Sequence, residues 1–147
     1  MRSLEIVARM PELPAPEAYV KIAAFEDYPA YTVAVRHVAI LERSDDRSVS
    51  SWDVAFNEGI LRWTEEDRFE PGERRIRFRQ LTGDLELFEG EWAVEPEGEG
   101  CAIRFAASFD LGVPTLADML EPIAEQALRD NVELILNGLA SHAAHGR

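Results

Sequence analysis

Two acids stand where a strand pattern calls for apolar residues. In LRWTEEDRF, Leu61 to Phe69, alternation between two strand faces puts Leu61, Trp63, Glu65, Asp67 and Phe69 on one side. Arg62, Thr64, Glu66 and Arg68 share the other. A carboxyl group on an apolar wall has its pKa raised by desolvation, which suits general acid or base work near neutral pH. Glu65 and Asp67 are therefore the first catalytic candidates. Three other arrangements stay open: a bulge that reverses the phase after Trp63, a place at the open end of a cavity, or a buried arginine that neutralises one acid.

His37 is the third catalytic candidate, because imidazole titrates near neutrality and this is the one histidine within a strand pattern. Its side of the sheet depends on whether Val35 or Val38 sets the inner phase. Ser50 shares a face with Trp52, Val54 and Phe56, and Gln80 shares one with Ile76 and Phe78. Both offer hydrogen bonds to a ligand carbonyl, or are satisfied by backbone or water. Trp52, Trp63, Trp92, Phe56, Phe78, Phe88 and Phe105 recur at strand spacing, where the wall of a cavity and an ordinary core look alike. No Ser-His-Asp arrangement or Gly-rich phosphate loop is present. The single cysteine, Cys101, provides neither a disulfide nor metal-ligand spacing, and reads as a small core residue.

The elements that must position these groups follow from periodicity. LEIVARM, Leu4 to Met10, reads as a first strand, ended by prolines 11, 14 and 16. Pro16 suits the first turn of a short helix running to about Phe25, and Asp27 to Tyr31 reads as a second helical turn or loop. Six strands follow between tight turns: 33–42, 48–56, the stretch around 61–69, the segment RRIRFRQL, LELFEGEWAVEP, and CAIRFAASFDLG. In RRIRFRQL Arg75, Arg77 and Arg79 face away from Ile76 and Phe78, beside the outward glutamates of the next strand. From Pro114 to about Ala144 the spacing becomes helical, with Leu116, Leu120, Ile123, Ala127, Leu128, Asn131, Leu134, Ile135 and Leu139 as the apolar stripe. Pro122 is expected to kink this helix or divide off its first turn. The fold class is α+β, a bent seven-stranded antiparallel sheet around a long C-terminal helix. Such a sheet leaves a cavity between its inner face and the helix.

A length of 147 residues fits one domain, 1–147, with 142–147 as a frayed tail. The balance of 15 basic against 28 acidic side chains, a net charge of -13, opposes binding to nucleic acid or to an anionic membrane surface. No apolar run approaches the ~20 residues that cross a bilayer, and the N-terminal residues lack a secretory pattern. A cytoplasmic location is expected.

The element order, with FEDYPAY, VRHVAILE, SSWDVAF, LRWTEED, the Gly90-x-Trp92 pair and LRDNVELILNGL, resembles the START-like (Bet v 1-like) helix-grip superfamily. Within it the chain is most similar to the polyketide cyclase/aromatase branch, which is related to coenzyme Q-binding START-like proteins. The resemblance implies two short helices after the first strand and a deep cavity for an aromatic or polyketide-like molecule. It implies no metal or organic cofactor, and promotion of enolisation, aldol closure and dehydration by polar cavity residues. Asn131 matches an asparagine of this helix in related cyclases, and Tyr28 and Tyr31 fall where the entrance would be. The branch also contains carriers, so a non-catalytic binding protein for a quinone, lipid or other hydrophobic molecule is the alternative. An acyl carrier protein that presents the substrate, and a homodimer, are partners the resemblance admits.

Overall fold

The computed structural model describes residues 1–56, 59–112 and 117–145, with the side chains of 117–119 and 142–145 outside that description. β1 (Arg2–Met10) is followed by α1 (Ala15–Ala23), a 3-10 turn at Phe25–Asp27 and α2 (Tyr28–Tyr31). Six strands come next: β2 (Val35–Arg43), β3 (Arg47–Phe56), β4 (Gly59–Glu70), β5 (Arg75–Gly83), β6 (Leu87–Glu97) and β7 (Gly100–Asp110). The long α3 (Ala117–His145) ends the described chain. Of the residues expected to begin the C-terminal helix, Pro114 and Leu116 fall outside the described residues. The helix continues through Pro122 without division and persists to His145, into the segment expected to fray; Gly146 and Arg147 lie outside the description.

All seven strands form one antiparallel sheet in the order β1-β7-β6-β5-β4-β3-β2. Short connections pair each strand from β2 to β6 with its successor, and β1 closes the far side against β7, from Arg2 opposite Phe109 to Met10 opposite Cys101. Ile76, Val94, Ile103, Phe105 and Phe109 on the inner face are buried. A Cβ on Gly90 would sit 2.2 Å from the Ala106 carbonyl oxygen, so only glycine fits where β6 lies so close to β7.

The outer face is polar. Arg77 and Arg79 of β5 stand opposite Glu91 and Glu89 of β6. Glu66 takes Arg47 at 2.7 Å and Arg68 and Arg79 at 3.4 Å each. These guanidinium groups, the Arg47 bond above all, hold the Glu66 carboxyl below the usual range, against a smaller opposing effect of burial. No described arginine is buried, which removes a buried guanidinium as partner for Glu65 or Asp67.

The helix is rotated from the expected stripe. Ala124, Leu128, Val132, Ile135, Leu136 and Leu139 are buried, whereas Leu120, Ile123 and Leu134 are exposed. Two contacts set this rotation. The Asn131 side-chain amide donates to the Ala55 carbonyl at 2.7 Å, and at Gly138 the helix runs so near α2 that a Cβ would meet the Tyr31 carbonyl oxygen at 2.1 Å.

Candidate functional site

Between the sheet and α3 lies a chamber with about 60 Å³ of free volume. Its wall is aromatic: Tyr28 from α2, Trp52 from β3, Trp63 from β4, Phe78 from β5, Phe88 and Trp92 from β6, and Phe105 from β7. Val35, Val54, Leu128, Val132 and Ile135 complete the apolar lining, and Glu65 and Asn131 are the polar residues that join them. A larger depression of about 830 Å³ lies on the outer face, where Arg68, Arg77, Arg79 and Arg104 interleave with Glu5, Glu66, Glu89 and Glu91. Its arginines are held in ion pairs, so the chemistry of interest is inside.

β4 pairs with β3 in unbroken register from Arg47 opposite Arg68 to Phe56 opposite Gly59, so Leu61, Trp63, Glu65 and Asp67 all face inward and are buried. The irregularity beside Glu65 belongs to β5, because Thr64 pairs with Thr82 and Glu65 with Gln80, leaving Leu81 as the extra residue. The bulge therefore leaves the phase of β4 intact.

The two acids form one network. Ser48 and Ser50 donate to Asp67 Oδ2 at 2.9 and 2.7 Å, and Trp52 Nε1 donates to Ser50 Oγ at 2.8 Å. Trp63 Nε1 donates to Glu65 Oε1 at 2.7 Å. The indoles of Trp52 and Trp63 are parallel, with centroids 5.8 Å apart. Burial pushes the Glu65 carboxyl well above the usual range; its bond to Asp67 and the Asp67 charge raise it further, and the Trp63 N–H opposes them. Burial raises Asp67 also, but bonds from Glu65, Ser50 and Ser48 oppose that shift. The Ser48 and Ser50 hydroxyls converge on Asp67 and oppose the effect of burial there, whereas at Glu65 burial and the neighbouring acid act in the same upward direction. Asp67 Oδ1 is buried and has no hydrogen-bond partner among the described residues.

Several sequence-derived candidates take other places. His37 is exposed and not in the chamber lining. Val35 pairs with Val54 and His37 with Asp53, so Arg36 is an extra residue that lets both Val35 and Val38 face inward and turns His37 out. Asp67 sits behind Glu65, with no exposed surface, and does not line the chamber. Ser50 is also fully buried, its hydroxyl committed to Asp67 instead of a ligand. The Gln80 amide donates to the Leu85 carbonyl at 2.7 Å, which ties it to its own hairpin. Phe56 is half-buried at the end of β3, outside the lining. Tyr31 packs on Tyr28, with centroids 6.0 Å apart, also outside it. The Tyr28 hydroxyl donates to the Ile22 carbonyl at 2.5 Å, and burial above all pushes its pKa well above normal; it is a neutral phenol. Ser48 escapes a reading of the sequence because SDDRS has the composition of a turn, although Ser48, Ser50 and Trp52 already show the spacing of one strand face.

A bent antiparallel sheet closed over one long helix, with an apolar chamber between them, defines a helix-grip protein of the START-like kind. Residues 11–135 match the family described as polyketide cyclase / dehydrase and lipid transport, and the chain belongs to that family. It is similar to the solved structure of TTHA0849 from Thermus thermophilus at 25% identity and a TM-score of 0.91, covering 99% of each chain. The Zhui aromatase/cyclase from Streptomyces sp. R1128 shows 21% identity and a TM-score of 0.85, over 97% of this chain and 93% of that one. A START superfamily protein from Mycobacterium smegmatis shows 17% identity and a TM-score of 0.78, over 96% and 98%. At such identities the last two establish shared fold alone. No curated protein sequence matches the chain.

Proposed function

We propose that the protein is a cofactor-independent cyclase or dehydratase acting on a poly-ketone or aromatic carbonyl compound, with Glu65 as general acid and Asp67 as the residue that keeps Glu65 protonated. The observation that carries this reading is a buried carboxyl group, Glu65, in the wall of an aromatic chamber, its pKa pushed well above the usual range by burial. Family membership and the likeness to an aromatase/cyclase support it. As an enol carbon of the substrate attacks a second carbonyl, Glu65 gives its proton to the new alkoxide oxygen. The enol O–H proton returns to the Glu65 carboxylate, so the cycle closes without a co-reactant. Holding the chain in a reactive geometry supplies much of the acceleration, and proton transfer about 10²–10⁴-fold.

The chamber must open to work. Its 60 Å³ is less than half of the ~150 Å³ cavity that accepts benzene in another protein, and the aromatic side chains fill the rest. A carrier of a hydrophobic molecule is the second reading, favoured by one observation: of the polar groups at the lining, Tyr28 and Asn131 already donate to backbone carbonyls. The test uses 1-phenyl-1,3-butanedione and follows deuterium uptake at its methylene carbon by NMR. Glu65→Gln is expected to slow protein-catalysed exchange by at least 100-fold; exchange at the wild-type rate would remove Glu65 as the acid.

A further inference from the structure

The Glu65–Asp67 pair lacks something that buried charges ordinarily have. Asp67 is fully enclosed and Glu65 is 4% exposed, so a negative charge on either carboxyl is a buried charge. Buried charges in folded proteins are paired or coordinated, because an isolated one is expensive to desolvate. The hydrogen bonds from Ser48, Ser50 and Trp63 are dipolar and supply no positive charge. Among the described residues no lysine, arginine or histidine lines the chamber. The titratable neighbours that act on the pair are the Tyr28 hydroxyl of α2 and Glu66 on the opposite face of β4. Neither brings a positive charge.

The chamber offers what a cation would need. Trp52, Trp63, Trp92 and Tyr28 surround the space beside Glu65, and indole and phenol faces attract a desolvated ammonium group. The net charge of -13 favours approach of cations and repels anions. We propose that the chamber selects a protonated aromatic amine, whose ammonium group rests against Glu65 as the missing countercharge while its ring lies among the indoles. The proton of the pair moves from Glu65 to Asp67 as the amine enters, so one carboxylate meets one ammonium and no proton leaves the protein. This inference rests on the reading of the interior as a ligand chamber, and extends it to a ligand class that a carbonyl-protonating acid alone does not imply.

Three probes of one ring size and different charge test it: benzylamine, benzyl alcohol and phenylacetate, each titrated by calorimetry at pH 7 and 0.15 M salt, where exposed charges are screened beyond about 8 Å. Benzylamine is expected to bind at least tenfold more tightly than benzyl alcohol, and phenylacetate not to bind. Both Glu65→Gln and Asp67→Asn, each first shown to unfold cooperatively, should remove the amine's advantage and leave the alcohol's affinity within threefold. Equal binding of amine and alcohol overturns the inference, and so does an amine preference that survives both substitutions, which would mark attraction by the surface charge. A protein that exchanges the diketone but ignores the amine keeps the proposed function and loses this inference. Binding of none of the three overturns the chamber reading and the inference together.

Discussion

Glu65 makes the protein's stability depend on pH in a direction opposite to that of most carboxylates. Its pKa in the folded chain lies well above the ordinary value of 4.5, chiefly through burial, so between 4.5 and that raised value the folded state keeps a proton that the unfolded state has released. Stability contributed by the protonated acid is full below 4.5 and is lost as pH rises through this window. One bound proton corresponds to about 1.4 kcal/mol per pH unit, or roughly 4 °C in Tm per unit for a chain of this size. A glutamine in place of Glu65 would imitate the protonated acid, since its carbonyl accepts from Trp63 Nε1 and its amide donates to Asp67. Glu65→Gln should therefore lead the wild type by about 0.8 kcal/mol at pH 5 and gain about 1.4 kcal/mol on it for each further unit up to the raised pKa. Urea denaturation from pH 5 to 8, with the m-value checked for constancy, measures the difference. Parallel stability profiles for the two proteins would refute the assignment of the proton to Glu65.

Two further substitutions probe the scaffold. Gly138→Ala puts a methyl group against the Tyr31 backbone carbonyl, and overpacking of ~1–3 kcal/mol should exceed the gain of about 1 kcal/mol in helix propensity; a denaturation midpoint that fails to fall would disprove the α2–α3 contact. Glu66→Gln leaves Arg47, Arg68 and Arg79 around a neutral amide and should cost under about 1 kcal/mol. That loss should shrink in 1 M salt and fade as pH falls through the lowered Glu66 pKa; a salt-independent loss would show that packing is responsible.

What the sequence displayed depended on whether local pattern alone fixed a residue's direction. Strand alternation placed Glu65 and Asp67 inward because the β3–β4 register runs without a break. It left His37 undecided because the extra residue, Arg36, sits in a stretch that is apolar on both sides and gives no sign of the irregularity. The helix showed its existence and length, but Leu120, Ile123 and Leu134 are as apolar as Val132 and Leu136. The choice between these sets is made by long-range contacts through Asn131 and Gly138. Pairing between the acids was likewise invisible, since proximity of Glu65 to Asp67 becomes a shared proton only once burial and the absence of a nearby guanidinium among the described residues are known.

The irregularity that turned His37 outward has a second effect. β2 is an edge of the sheet, and both Arg36 and Leu41 are surplus to its pairing with β3. A flat edge strand offers a row of unsatisfied amides and carbonyls on which another chain can dock and seed aggregation, and bulges and charges interrupt such a row. With two bulges in nine residues, and Arg36, Glu42 and Arg43 exposed along it, β2 is a poor template for strand addition. The same departures from regularity that hid the direction of His37 help keep neighbouring copies from joining edge to edge.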